Sequence, residues 1–185
     1  MKNLLVRCKA LILSILLLAP LAPVYASADD AFVVALGQFN RARQGDTSKI
    51  EPAIGAFQAL PANPRYQPLF AAYLGSAQAL KGKAAWMPWN KMKYTDQGLD
   101  SIDQALASLR PEHDRMLVQG VPVSMTARLV AAATFVAVPD GLFHRRTAGK
   151  DLLAELRRSP QLASMPEAFR AELTAVEAQL KEAAK

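Results

Sequence analysis

The chain has a single cysteine, Cys8, in 185 residues, and it lies ahead of an apolar run instead of in the body of the protein. Disulfides, a thiolate nucleophile and a cysteine-ligated metal are therefore excluded from everything after residue 28. Histidine is almost as scarce. His113 and His144 are the two present, so a zinc site would need both of them plus carboxylates from elsewhere, and no metal or other cofactor is expected. Glycine-rich phosphate loops, a nucleophile elbow and a Ser/His/Asp ordering are also missing. Asp100 and Asp103 share a helical face but read as a solvated stripe, not as the carboxylate pair of a glycosidase. With no catalytic constellation to assemble, a non-enzymatic role is expected. Period-two alternation of β-branched residues is missing as well, which leaves strands out of the expected fold.

What is present begins with Lys2, Arg7 and Lys9, followed by an apolar run from Ala10 to Val24. Val24-Tyr25-Ala26 and Ala26-Ser27-Ala28 both fit the small-residue pattern of a cleavage site, so residues 1–28 read as a signal peptide and the chain as exported, periplasmic or secreted. Pro20 and Pro23 interrupt the run before the ~20 residues that a membrane span needs. Of the 22 Lys and Arg, three lie in this leader, which leaves 19 against 16 acidic residues and a net charge of about +3. Export and so modest a charge disfavour nucleic acid as a partner. The remaining residues 29–185 make one domain's worth of chain, long enough to bury a core.

Helical periodicity then runs through the chain. Phe32, Leu36 and Phe39 form one stripe, stopped by Gly45 and Asp46; Ile50, Ile54, Phe57 and Leu60 form another, opened by a Ser48-x-x-Glu51 box. Leu69, Tyr73, Ala77 and Leu80 follow on a helix whose other face is small, with Gly82 at its end. Leu99, Ile102, Leu106 and Leu109 make a fourth stripe, with Thr95 as expected N-cap and Pro111 as terminator. Residues 123–138 are apolar nearly all round and bounded by Pro122 and Pro139; with Arg128 inside and only ~16 residues between the prolines, this reads as a buried central helix, not a span. A short helix at 150–158 and a final one carrying Phe169, Leu173, Val176 and Leu180, opened by a Ser164-x-x-Glu167 box, complete an all-α fold. About seven antiparallel helices are expected, in hairpins at 30–60 and 66–110 followed by C-terminal helices at 114–184.

Segment 53–57 aligns with 98–102 at an offset of 45, and removing the 11 residues at 84–94 restores a period of 34. With Leu74-Gly75 and Gly82 in the second unit, and Gly98, Ile102 and Ala105 at small, large and small positions, residues 30–110 resemble a divergent tetratricopeptide-like helical-hairpin protein. The first helix stands out of register with that signature, and nothing after residue 111 matches it; an irregular helical bundle is the alternative. The resemblance implies a scaffold that holds a peptide or a partner protein.

The segment expected to do the binding is Trp86 to Tyr94, where Trp86, Trp89 and Tyr94 interleave with Lys91 and Lys93, a mixture suited to an interface anchor or a ligand rim. A second candidate, for anions, is His144, Arg145 and Arg146, which could grip a carboxylate or phosphate, or else pair with the Asp96, Asp100 and Asp103 face. The expected function is an exported adaptor for a peptide or protein partner in a bacterial-type cell envelope. The alternative is a small-molecule or lipid carrier with an apolar cavity behind Trp86 and Trp89.

Overall fold

The computed structural model describes residues 28–183; residues 1–27 of the expected leader lie outside them. Eight α-helices follow one another among the described residues: α1 (Ala28–Arg43), α2 (Ile50–Gln58), α3 (Gln67–Ala84), α4 (Pro88–Ala107), α5 (Val123–Ala137), α6 (Asp140–Phe143), α7 (Arg146–Arg158) and α8 (Glu167–Ala183). The all-α class expected from the periodicity is the observed one. The helices give no evidence of a repeated tetratricopeptide unit.

Several boundaries differ from expectation for identifiable reasons. Helix α4 starts at Pro88, not at Thr95. Pro88 sits in the first turn, where a missing N–H costs nothing, so the segment read as an insertion is the first two turns of the helix. Neither Ser-x-x-Glu box forms. Ser48 donates its hydroxyl and its N–H to Asp46 Oδ1, at 2.6 and 3.2 Å, so Asp46 caps a 3-10 turn ahead of α2. Met165 is extended (φ −72°, ψ 150°) because Pro166 follows it, and α8 therefore begins after the proline. Strands were not expected, yet Leu117–Val118 pairs antiparallel with Val121–Pro122. The two-residue turn between them has Gln119 and Gly120 both at positive φ, 52° and 78°, which is the hairpin geometry whose twist suits paired strands.

The expected buried helix is α5, and it is the hub. Leu99 and Ile102 of α4 pack with its Ala131 and Phe135; Ala72, Ala105 and Ala127 let α3, α4 and α5 meet closely. Arg128 is accommodated by reaching Glu155 of α7 at 2.9 Å. Two separate cores flank the hub. One is aromatic and lies among α1, α2 and α3, with Phe32, Phe39, Phe57, Phe70 and Tyr73. The other is aliphatic and lies among α5, α7 and α8, with Leu129, Leu153, Leu156, Leu173 and Val176. The hairpin of α3 and α4 is the tightest contact: a Cβ on Gly75 would fall 2.5 Å from the Gly98 carbonyl oxygen, and one on Gly98 would strike the Gly75 carbonyl. Only glycine allows backbones this near.

Candidate functional site

Where the two cores fail to meet, a groove of about 700 Å³ remains. Its floor is α3 and α5, which run side by side in the same direction. Its walls are α1, through Leu36, Asn40 and Arg43, and α8, through Phe169 and Glu172; Val118 and Val121 of the hairpin add to the lining. Tyr73, Ser76, Ala79 and Leu80 of α3 and the apolar girth of α5 account for the floor; Gly75, on the small face of α3, packs on α4 instead. The walls come from the two chain ends, whose pairing no local signal reveals.

Most of the lining is aliphatic or aromatic, and two of its hydroxyls satisfy one another. Thr134 Oγ1 lies 2.8 Å from Ser76 Oγ and 2.9 Å from the Val130 carbonyl. A hydroxyl carries one proton, so the Thr134 hydroxyl donates to the carbonyl while the Ser76 hydroxyl donates to it. At one end Arg43 Nη2 meets Glu172 Oε1 at 2.6 Å, rim to rim across the groove, and the Arg43 guanidinium also sits over the Phe39 ring. Beneath this pair lies Tyr73, whose hydroxyl burial pushes up to about 12, with Arg43 pulling it down and Glu172 raising it further. At the other end stand Lys83 and Lys91, both exposed and without an ion pair among the described residues. From Tyr73 to Lys83 is ten residues of α3, about 15 Å at 1.5 Å per residue.

The expected binding residues divide accordingly. Lys91 lines the lysine end of the groove, together with Met92 and Thr95. Trp86 and Trp89 stand outside it and point to solvent, 86% and 64% exposed, so they form no part of the core. Tyr94 is half-buried under the Lys81 ammonium, 4.3 Å from its ring centroid, with Lys93 at 5.8 Å; Lys81 in turn pairs with Glu51 at 2.6 Å. Of the candidate anion grip, Arg145 is engaged elsewhere. Both terminal nitrogens of Arg145 bind the Asp103 carboxylate, at 3.1 and 2.6 Å, with the guanidinium over Phe135. Arg146 donates its backbone N–H to Asp140 while its guanidinium Nε is buried with no hydrogen-bond partner among the described residues, and His144 ends α6 in the left-handed conformation. Arg145 therefore ties α4 to the start of α7.

Among the described residues no three His, Cys, Asp or Glu side chains converge as metal ligands, and no helix is long and apolar enough to cross a membrane. No protein-family model, curated protein or solved structure matches the chain.

Proposed function

We propose that the chain is an exported, non-enzymatic binding protein that carries a single-chain amphiphile, an acyl tail with an anionic head group, in the groove between α1 and α8. The observation that carries this reading is the polarity of the groove along its length. An apolar run closes at one end on Arg43, already neutralised by Glu172, and opens at the other on Lys83 and Lys91, which have no counter-charge. A tail directed toward the aromatic end and a carboxylate or phosphate at the lysines complements both.

Size decides between this and a peptide in the same space. A helix with its side chains is about 10–12 Å across, so 700 Å³ takes about one to two turns, too few for an anchored helix. The helical walls spend their own N–H and C=O groups internally and offer an extended peptide little backbone pairing. An acyl chain needs none, and the volume falls in the ordinary range for small-molecule sites, about 300–1,000 Å³. The adaptor reading keeps one observation of its own, the exposed Trp86 and Trp89 outside the groove.

Titration with oleate and with oleyl alcohol, which shares the tail but lacks the charge, tests the carrier. Both are expected to bind. Lys83→Gln/Lys91→Gln is expected to weaken oleate by about tenfold at low salt, as two exposed ion pairs would, and to leave the alcohol unchanged. Ala133→Phe, which fills the groove, should abolish both while circular dichroism stays native. Failure of either amphiphile to bind the folded native protein overturns the reading.

A further inference from the structure

We infer that the corner joining α3 to α4 is a membrane-docking tip that seats the lysine end of the groove on an anionic bilayer surface. Trp86 and Trp89 head the corner, and Met92 follows one turn into α4, 38% exposed. Residues 81–94 contain Lys81, Lys83, Lys91 and Lys93 and no acidic residue. Glu51 neutralises Lys81, which leaves three lysines facing out; Asp96 begins the acidic face of α4 a turn further along, and Asp140 is held by the Arg146 N–H. Leu142, also exposed, lies at the same end of the groove. Indole rings are at home among lipid head groups, where an apolar body and a wet N–H are both satisfied. Lysines beside them are drawn to anionic lipid.

A bilayer suits this shape better than a protein does. Side chains as exposed as these touch little of their own chain and project from a corner, whereas a protein interface desolvates its anchors in a fitted pocket. A deformable head-group layer accepts a projecting ring without one. The tip is also held firmly, because Gly82 packs directly on Thr95 behind it, so the rings and the groove mouth move together. Docked this way, the end that would take the head group faces the leaflet from which an amphiphile would come. The docking itself rests on the exposed corner and not on what fills the groove.

The chain's two tryptophans are both in this corner, so intrinsic emission reports on it alone. The protein recovered after export would be mixed with vesicles of pure phosphatidylcholine and of equimolar phosphatidylcholine and phosphatidylglycerol, with sedimentation and tryptophan emission read together. Binding to the anionic vesicles is expected, with a blue-shifted emission quenched by brominated acyl chains and weakened by salt. Lys83→Gln/Lys91→Gln/Lys93→Gln should weaken it about a hundredfold, from the attraction of three lysines to such a surface. Trp86→Ala/Trp89→Ala should lose binding while remaining folded, since neither ring is in the core. No binding by the native protein, binding without an emission change, or equal binding by native and both variants overturns the tip. An emission shift given only by an envelope polypeptide overturns it too and hands the corner to a protein partner. Oleate binding without vesicle binding overturns the tip and leaves the carrier, and vesicle binding without oleate binding does the reverse.

Discussion

The two cores on either side of the groove are both apolar but differ in make-up, the first rich in aromatic rings and the second aliphatic apart from Phe169. In the N-terminal one Phe39 meets Tyr73 edge-on, with ring centroids 5.3 Å apart, and Phe57 stacks on Tyr73 at 5.5 Å. Phe32 touches Phe57, Phe70 and Tyr73 in turn. In the C-terminal core Leu153, Leu156, Leu173 and Val176 interdigitate with Leu129 and Met125 of α5. Aromatic pairs have preferred angles, so the first core adds ring geometry to the close packing that holds both. The difference extends to the glycines. Between α3 and α4 the obstacle to a methyl group is carbonyl backbone, whereas at Gly149, where α7 crosses α5, it is the Val136 and Phe135 side chains at 3.1 and 3.2 Å.

The largest expected effects test that contrast. Gly98→Val forces α3 and α4 apart and should destabilise by about 3 kcal/mol or more, since backbone cannot rotate away. Gly149→Ala should stay within about 1 kcal/mol of native, because a few tenths of an ångström of give at the Val136 methyl and of α5 at the Phe135 Cβ is offset by the gain in helix propensity. Urea unfolding midpoints at unchanged slope give both numbers, and an equal cost at the two sites would break the comparison.

Next in size is a pH dependence confined to one core. The Tyr73 hydroxyl, pushed by burial to about 12 from 10.0, keeps its proton in the folded protein where the unfolded chain has released it. The folded state thus binds more protons between these values, and stability must fall as pH rises. The contribution is complete below pH 10 and is lost as pH climbs through the folded value, about 2–3 kcal/mol in all. Tyr73→Phe should flatten this alkaline limb. On the acid side the C-terminal half has its counterpart in Glu177, held below the usual carboxylate range by its hydrogen bonds from Arg157. That contribution is present above pH 4.5 and lost as pH falls through the folded value. Arg157 and Glu177 are 42% and 25% exposed and so partly screened by solvent, and its size should stay under about 1 kcal/mol. An alkaline loss that persists in Tyr73→Phe would remove the asymmetry.

How far this arrangement was legible in the sequence follows the range of the interactions. The stripe Phe32, Leu36, Phe39 and the proline-bounded run at 123–137 specify their helices locally, and both formed. Pro88 is an equally local signal for the start of α4, masked because Trp89 to Tyr94 carries no sustained apolar stripe. The Ser164 box failed to a stronger local rule, the extended backbone that Pro166 imposes on Met165. Trp86 and Trp89 stand out in sequence as candidate contacts, but a side chain's type does not fix whether it faces in or out; that depends on the corner between α3 and α4, which turns both to solvent. The groove is half legible: the apolar girth of α5 points to one side of its floor, but the small face of α3 turns to α4, and the walls depend on contacts such as Arg43 with Glu172, 129 residues apart, which leave no periodic trace.

That pair gives the smallest expected effect and the most direct probe of how the two cores are held across the groove. Arg43 and Glu172 are 41% and 38% exposed, so solvent screens them and their removal by Arg43→Ala or Glu172→Ala should cost under about 1 kcal/mol. Geometry raises the stakes above the energy, because the pair bridges the rims of α1 and α8 and neutralises the one cation at the aromatic end. With Glu172→Ala, Arg43 is left without its partner beside the buried Tyr73 ring, and the groove gains a positive charge at each end. Oleate should then enter in either orientation, so that Lys83→Gln/Lys91→Gln no longer weakens it by the full tenfold, and the Tyr73 hydroxyl should titrate lower, because the charge that raised it is gone and Arg43 remains. If the lysine substitutions cost as much in the Glu172→Ala background as in the native one, the orientation of the ligand does not depend on the clasp, and the two cores are held apart by packing alone.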